Sequence, residues 1–531
     1  MRRNFPTPGR PRGGLSFLLL LCATIDLSGS SASAQLSGGV SLGTTFPSIP
    51  LETDANVAVP ELWRMLPNGE VLTERLYEGN LRWRTRRTVS LFAVTKQGLS
   101  TRFWDTDSRK WSDWDHLGNP TGAPLQRVSN SGDTPGFDFG LPLLRGWGVG
   151  QPDWIAYQGV AKPSAGALPD FETAVMQVDA PSGVLAYAGE RAGVTTAVGP
   201  TVPSGWSYFN PQAGFDSIDP VGVNGYRRHV FGTGMPRNVV SSGRFRAQPS
   251  LPLVEMRQKG ANGTPVWIDH GKPGNAIGVT AGPGSTTSVF HDYLDAEDPD
   301  ARVEQHYVFV ATDPVEYGTT GLNGSEVAYL HGDGTSFAWS SLGSPGGNLV
   351  GAPVALTYYT KAPIAGGLGR VIVVAVTRRD GRFELVMRYH DGNGWTSGWS
   401  RWGAPAELRG EAFRMTSSVV WYDGPSNDLA NLRISFFGYS EQSSIAGGLV
   451  ELHWNGGSWG WKPMRFAPNG QSLATDHAVV VDEGTRDRVI VFARTYTGRI
   501  LEWVEQYENG SSTSAGWNDL STEPIVIRRL P

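Results

Sequence analysis

Residues 382–405 read RFELVMRYHDGNGWTSGWSRWGAP. Two strand-length runs, 383–389 and 395–402, flank His390-Asp391-Gly392-Asn393-Gly394. Gly, Asn and Asp tolerate positive φ, so these five residues predict a tight turn between antiparallel strands. Upstream, 354–359 and 371–377 are two further runs, and Arg379-Asp380-Gly381 supplies the turn before the third. The unit is therefore four antiparallel strands that end on a phrase of the form W-x-x-Φ-G-x-P, with Φ bulky or apolar.

The phrase recurs. Trp114 opens WDHLGNP, Trp267 WIDHGKP, Trp339 WSSLGSP and Trp399 WSRWGAP, with looser copies at Trp206 (WSYFNP), Trp461 (WKPMRFAP) and Trp517 (WNDLSTEP). The seven anchors are spaced 92, 61, 72, 60, 62 and 56 residues apart. No long stretch carries a 3.6-residue apolar period, so the chain is predicted to be all-β. Four strands per unit and seven units predict a single seven-bladed β-propeller of four-stranded antiparallel blades over 56–531. An open stack would need polar caps at both ends, and closing into a ring removes that need. A last strand-like run, 525–530, stands where every other unit begins, so the two termini are expected to share one blade and close the ring.

Composition agrees with a folded, exported chain. With 11% aromatic residues and 18% charged, it is unlike a disordered segment. The formal charge of −5 and pI near 6.0 give no basic face for general nucleic-acid binding. Residues 1–34 read as a signal peptide: Arg2, Arg3, Arg10 and Arg12 precede an apolar run too short to span a bilayer, and Ala32-Ser33-Ala34 is an A-x-A cleavage site. Cleavage near Ala34 predicts a secreted or periplasmic protein and removes the only cysteine, Cys22. Residues 35–55, rich in Gly, Ser, Thr and Pro, read as a linker.

The texts 382–405 and 90–120 resemble the repeat of the bacterial seven-bladed lectin-like propellers, among them fucose-binding lectins of insect-associated bacteria. In that family a D-G-x-x-W hairpin leads to a W-x-x-L-G phrase. The resemblance is clear in about four units. It implies the propeller fold and recognition of glycans or polysaccharide at sites between blades; function proper must be argued from sites, because propellers host many activities.

Indole faces stack on the C–H face of a sugar while neighbouring polar side chains bond its hydroxyls. Trp395, Trp402, Trp454 and Trp459 suit that role, as does Trp111 near His116. The phrase tryptophans, present in every unit, are expected instead to pack between blades. An alternative is a polysaccharide lyase, which needs a His or Tyr base and an Arg to neutralise a uronate. Tyr226, Arg228 and His229 with Arg244 form the densest such cluster, unless 226–229 is simply an edge strand with solvated Arg. A third reading is a protein-binding scaffold. Asp292, Asp295, Glu297, Asp298 and Asp300 suggest Ca²⁺ ligands but lack EF-hand spacing and read more simply as a solvated acidic loop; no other cofactor is implied. There is no complete Asp-box of the sialidase type, G-x-S-x-G elbow, H-E-x-x-H helix or Walker loop.

Overall fold

The computed structural model describes strands between Leu72 and Asp519 and, with gaps, the segments joining them. Side chains are described mainly within 91–116, 227–279 and 305–521. Seven antiparallel sheets follow one another along the chain. The described residues include three short 3-10 turns and no α-helix, hence no helix able to cross a membrane.

The third sheet takes Trp206–Ile218, Tyr226–Pro236, Leu253–Lys259 and Val266–Gly271. The fourth takes Val279–His291, Val303–Thr312, Glu326–Gly332 and Phe337–Gly343. The sixth runs from Phe413–Tyr422 through Leu432–Ser440 and Gly448–Trp454 to Trp459–Trp461, and the seventh comprises Leu473–Asp482, Asp487–Thr495, Ile500–Glu508 and Ser511–Asp519. The first is built on Arg82–Thr95 and Gly98–Asp105 and also takes in Phe139–Gly140, and the second spans Leu125–Val128 to Val194–Val198.

The fifth sheet tests the unit read from sequence. Val354–Tyr359 appears as expected, and the next two strands lengthen to Gly369–Arg379 and Arg382–His390. Arg379 pairs with Arg382 across Asp380 (φ 50°) and Gly381 (φ 78°), the doubly positive pair of a type I′ hairpin. The last strand shortens to Ser400–Gly403, leaving Trp395 on a single bridge to His390. Loop bonds compete with the ladder there: Asp391 N–H donates to the Gly394 carbonyl (3.1 Å), the Asp391 carboxylate accepts from Gly394 N–H (3.1 Å), and Thr396 N–H donates to the Tyr389 carbonyl (2.9 Å). The same turn chemistry serves the neighbouring sheets. Asp333 Oδ1 accepts from the N–H groups of Thr335 and Ser336 (both 2.8 Å), and Asn455 Oδ1 from Gly457 and Ser458 (3.0 and 2.9 Å).

Tyr226–Pro236 is not an edge. It is paired on both sides, to Trp206–Ile218 and to Leu253–Lys259. Such second strands read as near-continuous apolar runs because both faces are covered, and Leu432–Ser440 is buried throughout. Core clusters lie between successive sheets: Phe231 with Val308, Phe309 with Val373, Val374 with Phe436, and Trp421 with Val491. Ile490, Phe492 and Ile500 of the seventh sheet pack with Leu91, Ala93 and Trp104 of the first.

Four of the phrase tryptophans join one sheet to the one before it. The Trp339 indole N–H donates to the His270 carbonyl (2.8 Å), Trp399 to Leu342 (3.3 Å) and Trp461 to Trp402 (2.9 Å). In each case the acceptor stands three residues after the preceding phrase tryptophan. Trp114, in the link between Lys110–Trp111 and Asp115–Gly118 of the first sheet, donates by the same rule to Leu520 (3.1 Å), three residues after Trp517 in the last. The run 525–530 lies outside the described residues.

Candidate functional site

A repeated frame lines the face that each of the third to seventh sheets turns to the next. On the second strand a Phe or Val faces one residue of the third strand: Phe231 faces Glu255, Phe309 Tyr329, Val374 Met387, Phe437 Glu451 and Phe492 Glu502. Residues directly opposite in antiparallel strands share a face, so each pair looks into one cleft. Four residues before the Phe or Val stand Arg227, Gln305, Arg370, Arg433 and Arg488. The following sheet adds an aromatic ring. Phe337 lies edge-on to His229, Phe231 and His270, Trp395 to Tyr307 and Phe309, and Trp111 to Trp104 and Phe492.

The cleft between the seventh and first sheets is the fullest version. Glu502 is 2% exposed, and its carboxylate accepts from the Trp111 indole (2.9 Å) and from the amide of exposed Asn518 (3.1 Å). Arg488 stands 3.7 Å from the same carboxylate, with its guanidinium 3.7 Å from the Trp104 ring centroid. Burial raises the Glu502 pKa, opposed by Arg488, Trp111 and Asn518. At the rim, Arg102 lies over Trp111 and Trp114, both half-buried, and burial lowers its pKa. Acid, cation and ring thus meet beside partly exposed aromatic faces.

The other clefts vary the frame. Glu255, fully buried, accepts from His229 Nδ1 (2.6 Å), His270 Nε2 (2.7 Å) and both arms of Arg257 (2.5 and 2.8 Å), while Arg227 reaches across to Thr335. Burial alone would raise the Glu255 carboxyl, but these donors hold it well below the usual carboxylate range. Burial takes His229 down to about 4, outweighing Glu255. With Arg257 already paired to the carboxylate, a second cation at His229 gains too little to offset its desolvation. Between the sixth and seventh sheets, Lys462 and Arg465 each bridge Glu451 and Glu505 at 2.6 to 3.1 Å, closing a ring of alternating charge. His453, beside Glu451, is lowered to about 3 by burial. The fourth-to-fifth cleft has Tyr329 in place of the acid, its hydroxyl accepting from the Trp395 indole (3.0 Å), and the fifth-to-sixth cleft is apolar around Met387.

The residues singled out in sequence fall unevenly on this frame. Trp111 and Trp395 are its ring donors. Trp459 and Trp454 are 2% and 8% exposed, packed on each other and on core residues, so neither offers a free face to a sugar. Trp402 is partly buried against the same core and lies edge-on to Trp459. His116 is exposed and bonds Ser100 through Nδ1 (2.7 Å). His229 is fully buried beneath Phe337, away from any polymer a lyase would cleave. The backbones of Tyr226 and Arg228 are placed on the second strand of the third sheet, but their side chains lie outside the described residues, as do Arg244, Asp292, Asp295, Glu297, Asp298 and Asp300. Among the described residues no group of three His, Cys, Asp or Glu side chains is arranged to hold a metal. Sequence reading missed Glu255, Glu451, Glu502 and Arg488. The spacing R-x-x-x-F at 227–231, 433–437 and 488–492 marks Arg488 and its counterparts Arg227 and Arg433, whereas the acids lie on the following strands, outside it.

No family model matches the chain, and no curated protein does. Solved structures similar to it include a six-bladed β-propeller lectin of Aleuria aurantia, described with a fucose recognition mode, at 15% identity over 56% of this chain and 75% of that one (TM-score 0.30). The SapL1 lectin in complex with alpha methyl fucoside is 13% identical over 75% and 98% (TM-score 0.33). A periplasmic gluconolactonase of Pseudomonas aeruginosa is 13% identical over 83% and 100% (TM-score 0.32). At likenesses this low, the site is judged on this chain's own contacts.

Proposed function

We propose that the chain is an exported carbohydrate-binding protein whose seven sheets close as one seven-bladed β-propeller over 56–531, behind a signal peptide (1–34) and linker (35–55). Closure is supported by the phrase rule, in which Trp114 treats Leu520 as the carbonyl of a preceding blade. Glycans are held in the clefts between sheets. The observation that carries this is the Arg488–Glu502–Trp111 constellation, with a buried acid and cation to bond hydroxyls and a half-buried indole to stack on a sugar face. Sites at several clefts would make binding multivalent, so weak contacts sum to useful avidity.

The test is a glycan array with the purified chain, run beside an ultraviolet assay for new unsaturated chain ends. Binding without cleavage, lost in Trp111→Ala with the fold retained by circular dichroism, is the expected result. Binding unaffected by Trp111→Ala and Arg488→Met would remove this cleft from the reading. Binding to a partner that survives its complete deglycosylation would favour a scaffold.

Polysaccharide cleavage stands as a second reading on one observation: His270, partly exposed, is oriented by the buried Glu255, as a general base needs. Cleavage abolished by His270→Gln would bring that reading forward.

A further inference from the structure

The joint between the seventh and first sheets unites residues far apart in the chain. Trp111 and Glu502 are separated by 391 positions, and Arg102 and Leu520 by 418. Among the described residues, the side-chain hydrogen bonds that span it include Arg102 to the Leu520 carbonyl (2.8 Å), Trp114 to the same carbonyl (3.1 Å) and Trp111 to Glu502 (2.9 Å). Proteins open locally where the fewest cooperative contacts hold. A ring whose neighbouring sheets are linked by chain has its natural opening point where its two ends meet.

The same joint contains the fullest cleft. Its floor, Glu502 and Arg488, belongs to the seventh sheet; of its walls, Trp104 and Trp111 belong to the first, and Trp114 lies in the link between two of its strands, Lys110–Trp111 and Asp115–Gly118. Two donors there are buried with no hydrogen-bond partner among the described residues: the indole N–H of Trp104, 3% exposed, and Arg102 Nε.

We propose that a glycan bound in this cleft acts as a lock on ring closure, because it contacts both sheets at once and its site exists only while the joint is shut. The proposal rests on the glycan-binding reading above. A ligand that binds only the shut form suppresses opening by the factor 1 + [L]/Kd, about 11-fold at ten times Kd. Its effect is local, protecting the first and seventh sheets more than the fourth and sixth.

Hydrogen exchange read by mass spectrometry on the purified full chain tests this, with methyl α-fucoside, α-mannoside and β-galactoside as probes and calorimetry run in parallel. For a probe that binds, exchange in 82–105 and 487–519 should slow about tenfold at ten times Kd, while 326–343 and 413–440 change little. Calorimetric binding with uniform protection, or with none at the joint, overturns the lock but leaves glycan recognition standing. No heat from any probe, together with an empty glycan array, removes the glycan reading and the lock with it. Trp114→Phe, which deletes one bond across the joint and spares Glu502, should speed exchange in 82–105 several-fold in the absence of ligand. Unchanged exchange in that variant would show that the ring does not open here.

Discussion

Acidifying the protein from about pH 8 to about pH 5 should remove about 4 kcal/mol of stability through two buried histidines, His229 and His453. Each is neutral in the folded state, taken down by burial to about 4 and about 3 from an ordinary 6.5. A histidine lowered on folding stabilises above 6.5, where both states are neutral. That contribution is lost as pH falls toward the folded value, because the unfolded chain takes up the proton first. At about pH 5 the unfolded imidazole is almost fully protonated and the folded one almost not, so each site costs about 2 kcal/mol. Glu255 and Glu451, held far below the usual range, add their losses only below about 4.5, so the window between about pH 6.5 and 5 isolates the histidines. Glu502 works in the opposite direction, since its folded pKa is raised. Comparing variants subtracts it. Urea unfolding of the native chain and of His229→Gln, whose amide can still donate to Glu255, provides the assay. The variant should lose about 2 kcal/mol of the pH dependence, and His331, also lowered by burial, acts alike in both chains and cancels. Equal slopes, or stability that rises on acidification, would refute a neutral buried His229.

Three further outcomes follow from the same contacts. Trp461→Phe keeps a ring against Phe413 but removes the N–H to the Trp402 carbonyl, so the urea midpoint should report a loss of about 1 kcal/mol, whereas Trp461→Ala should lose about 3 to 5 kcal/mol. Gly456→Ala should destabilise far more than Gly381→Ala by thermal melting: both have positive φ, but a Cβ at Gly456 would lie 2.0 Å from the Ala430 carbonyl oxygen, and at Gly381 it meets nothing within 4 Å. Lys462→Met leaves Arg465 to balance both Glu451 and Glu505, with Ser435 still donating to Glu451, and should cost about 3 kcal/mol in urea, partly regained when Glu505→Gln is added; no recovery in the double variant would show that the four charges are not coupled.

The strands were legible because their signals are local. Gly381 and Asp380 demand one turn type, and 354–359 needs only apolar residues and flanking breakers. The place of Trp395 was less legible, because Asp391 and Thr396 compete for the bonds a longer strand would make, and that competition appears only in three dimensions. The role of the phrase tryptophans followed from recurrence, since a residue present in every unit must answer to something every unit shares. Recurrence is silent on Trp459, which precedes its phrase by two residues where Trp395 precedes its own by four; both cover a cleft core.

The acids of the site were hidden for a different reason. A Glu in an otherwise apolar third strand looks like the solvent side of an alternating strand, and nothing local reveals that the neighbouring sheet covers it. The structure makes that covering visible: Glu255, Glu451 and Glu502 are each almost wholly buried, and each finds donors from its own or the adjoining sheet. Burying three carboxylates is costly unless every one is paired, so a fold that merely needed stability would be served as well by the apolar Met387 found at the same place in the fifth sheet. Retaining acid, cation and indole at the seventh-to-first joint, where Asn518 and Trp111 also reach the surface, is more economically explained by a ligand's hydroxyls than by packing. Glu502→Met with Arg488→Leu separates the two: a gain in stability with loss of glycan binding is the expected pairing, and a loss of stability with binding intact would assign the constellation to the fold instead.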